Sequence, residues 1–124
     1  CVIYVMTKKG KTSGSPSNLP VALKKATTEM MVLHLLRERP MYTYEMMSAI
    51  EERSGGVIVF NTIYLSIYRL EENGYIREYE KVMSEDNRTR IYFTITDAGL
   101  AYLDASIQEY KRYIAALGRI LGLE

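Results

Sequence analysis

Two tyrosines four residues apart, Tyr64 and Tyr68, share a short stretch with Arg69 and with the amide and hydroxyl side chains of Asn61 and Thr62. Phenols, an amide and a hydroxyl donate and accept hydrogen bonds and a guanidinium donates them, all without taking up or releasing protons near neutral pH. They suit recognition of a polar or anionic surface. A second set lies further on, where Lys81, Arg88 and Arg90 stand against Glu85 and Asp86, a local excess of one positive charge. Catalytic chemistry finds less material. The chain has one histidine, His34, and one cysteine, Cys1, so no Cys/His set can supply four zinc ligands and no nucleophile sits beside a base. No enzyme activity, metal or cofactor is expected. Gly10-Lys11-Thr12 resembles the end of a phosphate-binding loop. The position five residues before Gly10 is Val5 rather than glycine, and Pro16 and Pro20 obstruct the helix that should follow. A solvated linker is the expected reading there.

These residues need elements to hold them. The 124 residues suffice for one modest domain. The formal net charge is +1 but it is unevenly placed: residues 1–20 carry Lys8, Lys9 and Lys11 and no acid, whereas residues 21–124 carry 13 basic and 15 acidic residues. A polyanionic partner must therefore meet a local patch or the N-terminal segment. Residues 1–20, rich in Lys, Gly, Ser and Pro, are expected to form a flexible basic arm. The lone cysteine fits a reducing compartment, CVIYVM makes a poor signal peptide, and no apolar run approaches a bilayer span, so a cytoplasmic location without membrane contact is expected.

Helical spacing of Thr28, Met31, Val32, Leu35 and Leu36 predicts a first helix over Leu23–Arg39, ended by Pro40. A second helix is expected with Thr43 as cap, Met46, Met47 and Ile50 inward, and Ser54-Gly55-Gly56 as its close. The third takes Asn61 or Thr62 as cap, places Ile63, Ile67 and Leu70 in the core, and stops at Asn73-Gly74. Tyr64, Tyr68 and Arg69 are left on outward or flanking surfaces, Arg69 free for phosphate or paired with Glu72 or Glu45. Alternation of Ile91, Phe93 and Ile95 with Tyr92 and Thr94 predicts the second strand of a β-hairpin. Thr96 then caps a helix from Asp97 to about Gly122. Its apolar positions Leu100, Leu103, Ile107, Tyr110, Ile114, Leu117 and Leu121 are spaced alternately by three and four residues, a heptad seam. At 1.5 Å per residue that helix reaches roughly 35–40 Å, longer than so small a domain can cover. The surplus is expected to pack against a second chain.

The order helix, helix, helix, hairpin, long helix is that of a winged helix-turn-helix domain, here residues 21–96, followed by a dimerisation helix over 97–124. Specific segments strengthen this. Met41-Tyr42-Thr43-Tyr44-Glu45-Met46 resembles the Gly-Tyr-Glu motif of the PadR family of transcriptional regulators. Asn61-Thr62-Ile63-Tyr64 and Arg69-Leu70-Glu71-Glu72-Asn73-Gly74-Tyr75-Ile76 resemble that family's recognition-helix signature, and Arg90 to Gly99 its second wing strand and entry to the last helix. The resemblance covers residues from about 23 to 121, and the single C-terminal helix is similar to the family's shorter branch. Thr43 and Asn61 stand where the family usually has glycine, and Tyr68 where it often has a basic residue. The resemblance implies a homodimeric repressor on a pseudo-palindromic duplex operator, with a small-molecule effector possible at the dimer interface. It assigns DNA contacts to Tyr44, Asn61, Thr62, Tyr64, Tyr68, Arg69, Lys81, Arg88 and Arg90. With no tryptophan in the chain, an indole-lined effector site is excluded. The alternative is a winged domain that binds protein, with Tyr64 and Tyr68 as anchors.

Overall fold

A computed structural model describes residues 15–123, which form α1 (Asn18–Glu38), α2 (Thr43–Arg53), α3 (Tyr64–Glu72), β1 (Ile76–Met83), β2 (Thr89–Ile95) and α4 (Asp97–Leu121). The apolar run CVIYVM, the three N-terminal lysines and Gly10-Lys11-Thr12 lie outside the described residues. The fold class is the expected one: mainly helical, with a hairpin wing and a long last helix. Helix α1 begins at Asn18, five residues before the expected start. Pro20 falls in its first turn, where the missing N–H would have had no helical partner, so the proline does not block the helix. The helix ends before Pro40 as expected. Its second half is apolar on more than one side: Val32, Leu33, Leu35 and Leu36 are all buried.

A two-residue β-bridge follows. The Met41 N–H donates to the Phe93 carbonyl (3.2 Å) and the Phe93 N–H to the Met41 carbonyl (2.9 Å). This ties the α1–α2 link to the wing. Thr43 is the first helical residue of α2 and not its cap. Tyr42 holds that place, and the Glu45 carboxylate accepts its N–H at 3.3 Å. Met46 and Ile50 face the core. Gly55 and Gly56 close α2 with positive φ, and the Ser54 hydroxyl accepts from the Ile58 N–H at 2.9 Å.

Helix α3 also starts later than its capping residues suggest. Ile63 occupies the cap, and its carbonyl accepts the Ile67 N–H at 3.0 Å, while Thr62 Oγ1 accepts from the Tyr64 N–H at 3.3 Å. Ile63, Ile67 and Leu70 are buried as expected. β1 and β2 pair antiparallel from Ile76↔Ile95 to Met83↔Thr89, with a register shift between Glu78 and Glu80. Asn87, at φ 65°, turns the tip.

Thr96 caps α4 as expected. Its hydroxyl accepts from the Gly99 N–H (3.0 Å) and donates to the Gly74 carbonyl (2.6 Å), while its own N–H reaches the Tyr75 carbonyl (3.0 Å). The end of α3, the start of the wing and the start of α4 thus meet at one point. Gly99 is packed against that point. A Cβ there would fall inside the van der Waals envelope of the Tyr75 carbonyl oxygen and 2.8 Å from Ile95 Cγ1. Leu103 is fully buried in its own chain, at 0 % exposed, and Ile107 packs on the same core. Leu103 therefore belongs to the interior of one molecule and offers no surface to a second, which corrects its place in the expected interface. Overpacking at a site this closed costs about 1–3 kcal/mol. Gly99→Ala should lower the unfolding free energy by that amount, seen in far-UV circular dichroism as a lower urea midpoint with an unchanged slope.

Candidate nucleic-acid interface

The Met41–Phe93 bridge sets α2 beside β2, and the space between α2, the start of α3 and the wing is a cleft of about 530 Å³. Four of the expected contact residues line it: Tyr44 in the first turn of α2, Tyr64 at the first position of α3, and Arg88 and Arg90 on the wing. The other five stand outside it. Asn61 and Thr62 lie exposed just before α3, and Tyr68 and Arg69 lie on its outward surface. Lys81 is part-way along β1, with Nζ 3.9 Å from Glu78. Arg69 forms neither expected ion pair. Glu45 is taken by Arg39, at 3.5 Å, and by the Tyr42 N–H, and Arg69 has no acidic partner among the described residues.

Arg90 is held in place. Its guanidinium carbon lies 4.7 Å from the centre of the Tyr42 ring, a cation–π contact, and that ring packs edge-on against Tyr92 at 5.3 Å. Tyr92 and Arg90 are two apart on β2 and share a face, so one tyrosine from the α1–α2 link can meet both. Arg88 is more exposed. It lies beside Asp86, Nε to Oδ2 3.7 Å. The Ser84 hydroxyl bonds to Asp86, and this bond, followed by the charges of Arg88 and Arg90, holds the Asp86 carboxyl below its usual range. The acid therefore stays ionised and partly neutralises the cleft.

Three contributors carried no local signal. Tyr42 orients Arg90. Lys24 is engaged: Nζ donates to the Val59 carbonyl at 2.7 Å and sits 4.9 Å from the Phe60 ring centre, so α1 braces the loop before α3. Leu65 is 61 % exposed on α3, between Tyr64 at 70 % and Tyr68 at 59 %. The outer face of α3 is thus aromatic and apolar. What the arrangement offers chemically is hydrogen-bond donors and guanidinium charge around a cleft beside the start of α3. Among the described residues no cluster of acids, histidines or cysteines is spaced to hold a metal ion. No helix among them is long and apolar enough to cross a membrane.

Comparison with known proteins agrees with the fold. No curated protein matches the chain in sequence. Among solved structures, a PadR family transcriptional regulator from Eggerthella lenta is 27% identical, with a TM-score of 0.75 over 87% of this chain and 93% of its own. A transcriptional regulator from Clostridium thermocellum is 27% identical, with a TM-score of 0.72 over 79% of this chain and 96% of its own. A Streptococcus transcriptional regulator is 26% identical, with a TM-score of 0.66 over 79% and 95%. All three are described as transcriptional regulators. The sequence model of the transcriptional regulator PadR-like family matches residues 32–105, which run from the core half of α1 through the wing and into α4. The chain belongs to the PadR-like family of transcriptional regulators.

Proposed function

We propose that this regulator is a homodimeric repressor that binds a pseudo-palindromic duplex operator and is released by a small-molecule effector. The observation that carries the DNA-binding part is the convergence of Tyr44, Tyr64, Arg88 and Arg90 on one cleft beside the start of α3. A recognition helix contacts base edges through its first residues, and a wing and a preceding helix can then reach phosphates on either side. In this reading Tyr44, Tyr64, Arg88 and Arg90 serve the backbone, and Asn61 and Thr62 stand near the bases. Tyr68 and Arg69 extend the contact along α3, and Lys81 adds only long-range attraction.

The dimer rests on the second half of α4. Beyond Ile107 the helix leaves its own core, and Tyr110, Tyr113, Ile114 and Leu121 are exposed large apolar residues on it. Leu19 and Leu23 at the start of α1 are exposed as well, and between the two helices runs an apolar groove of about 750 Å³. A second α4 laid there would bury Tyr110, Ile114 and Leu117, with Leu100 and Leu121 at the margins. The same groove is the natural place for an effector. Tyr102, Tyr110, Tyr113 and Met30 line it, and the Tyr102 hydroxyl donates to Glu29 at 3.0 Å. Burial, then Glu29, raises the Tyr102 pKa, so the phenol remains a neutral donor.

Three outcomes check this reading. Binding to duplex DNA from the chain's own promoter region, followed by fluorescence anisotropy, should weaken with salt. Two guanidiniums from each protomer imply a loss of about 10²-fold between about 50 and about 200 mM salt. A Tyr64→Ala, Arg88→Ala double variant should bind more weakly with a shallower slope. Salt-independent or absent binding would instead favour a protein partner on the aromatic face. Asp86→Asn removes a negative charge from the cleft and keeps the Ser84 bond. It should tighten DNA binding several-fold, equally from about pH 5 to about pH 8, because the carboxyl it replaces is ionised throughout. Finally, Ile114→Asp should shift the sedimentation profile from dimer to monomer while leaving the helix content intact, since Ile114 is 41 % exposed in the single chain. A dimer that survives this change would refute the seam.

A further inference from the structure

The outward surface of α3 carries a leucine where a polar residue would be expected, and its position is specific. At 100° per residue, Leu65 lies about 160° around the helix from buried Ile67 and about 140° from buried Leu70. It occupies the crest of the helix, pointing directly away from the core. Tyr64 stands on one flank and lines the cleft toward the wing, and Arg69 stands on the other. Leu65 is also in the first turn of α3. A lone exposed leucine is ordinary on a protein surface. One at the crest of the first turn of a recognition helix is placed to meet the floor of the major groove.

We propose that Leu65 is a specificity-determining residue that reads the 5-methyl group of a thymine. The inference rests on the DNA-binding reading above. The floor of the major groove presents hydrogen-bond donors and acceptors on every base pair, and one apolar group, the thymine methyl. A leucine side chain neither donates nor accepts. Against the N4 amino group of cytosine, or the N6 amino group of adenine, it strips water from a polar group and returns no bond. Against a thymine methyl it buries apolar surface on both sides. The phosphate contacts from Tyr64 and the wing, at the flank of the same helix turn, fix the register in which that methyl is met. The neighbouring Tyr68 ring walls the contact on the C-terminal side, one turn along. The apolar reader and the hydrogen-bonding readers at Asn61 and Thr62 thus divide adjacent base positions.

The experiment uses the full chain and duplexes that it selects from a randomised library. Each thymine in the selected half-site is replaced singly by deoxyuridine, which keeps every hydrogen-bonding group and lacks only the methyl. The parent chain should lose about fourfold in affinity at one position per half-site, and about 15-fold when both half-sites are changed. Leu65→Ala, which removes an exposed side chain and should leave the thermal midpoint near that of the parent, should bind the thymine duplex more weakly and show no preference at that position. A parent chain that binds DNA but is indifferent to deoxyuridine at every site overturns the inference. So does a Leu65→Ala variant that keeps the preference. Recovery of no duplex at all would overturn the DNA-binding reading itself, and this inference with it.

Discussion

Two hydrogen bonds between Met41 and Phe93 decide where everything else can stand. Each contributes about 1 kcal/mol net, which is modest. Their effect is geometric. Met41 lies in the link between α1 and α2, and Phe93 is in the middle of β2, so the pair joins the helical body to an otherwise two-stranded wing that could not stand alone. Both side chains are buried in the common core, which adds roughly 1.5–3 kcal/mol for each and fixes the register. With Phe93 turned inward, strand alternation turns Tyr92 and Arg90 to the other face, where Tyr42 meets them. The cleft, the placement of Arg90 and the approach of the wing to α3 all follow from that one alignment.

A second junction fixes the opposite end of α3. Thr96 bonds to Gly74, Gly99 and Tyr75 at once, and Gly99 admits the Tyr75 carbonyl because it has no Cβ. Tyr75 then stacks on Tyr102 at 4.3 Å, and the Tyr102 hydroxyl reaches Glu29 on α1. The contiguous set Gly74, Tyr75, Tyr102 and Glu29 runs from the C-terminal end of α3 to the groove between α1 and α4. Any ligand that changes the spacing of those helices acts on this stack. Lys24, bonded to the Val59 carbonyl, makes a second connection from α1 to the loop ahead of α3. Helix α1 is thus linked to the segments at both ends of α3, directly through Lys24 and by way of Tyr102 and Tyr75.

Much of this was legible in the sequence because it is local. The i, i+4, i+7 pattern of Ile63, Ile67 and Leu70 located the buried side of α3, and the alternation around Phe93 located β2. Glycine and threonine marked the close of α2 and the start of α4. The errors have physical causes. Pro20 reads as a stop, but in a first turn a proline lacks only a hydrogen bond that no proline or other residue would make there. Asn61 and Thr62 have good capping side chains, yet the backbone enters α3 through Ile63, which must turn inward to reach the core. The roles of Tyr42 and Lys24 depend on partners 35 or more residues away, and no spacing rule reports those.

The heptad seam of α4 exposes a subtler limit. A period of 3.5 states that one face is apolar over its whole length, and it is silent on what covers that face. In the fold the face is divided. Leu103 and Ile107 seal the chain's own core, whereas Tyr110, Ile114 and Leu117 continue the same stripe along the groove toward α1. From Leu103 to Leu117 the helix rises about 21 Å without a proline or an interior break. One rigid rod is therefore anchored at one end in the winged-helix body and reaches at the other the proposed dimer contact. The head has no freedom to turn independently of that contact, because buried Leu103 fixes the rotation of the rod about its axis. In the proposed dimer, the separation and facing of the two recognition helices are then set by where the rods cross. In the same proposal, a small molecule wedged between rods near Tyr110 would need to shift that crossing only slightly to displace both heads from consecutive major grooves.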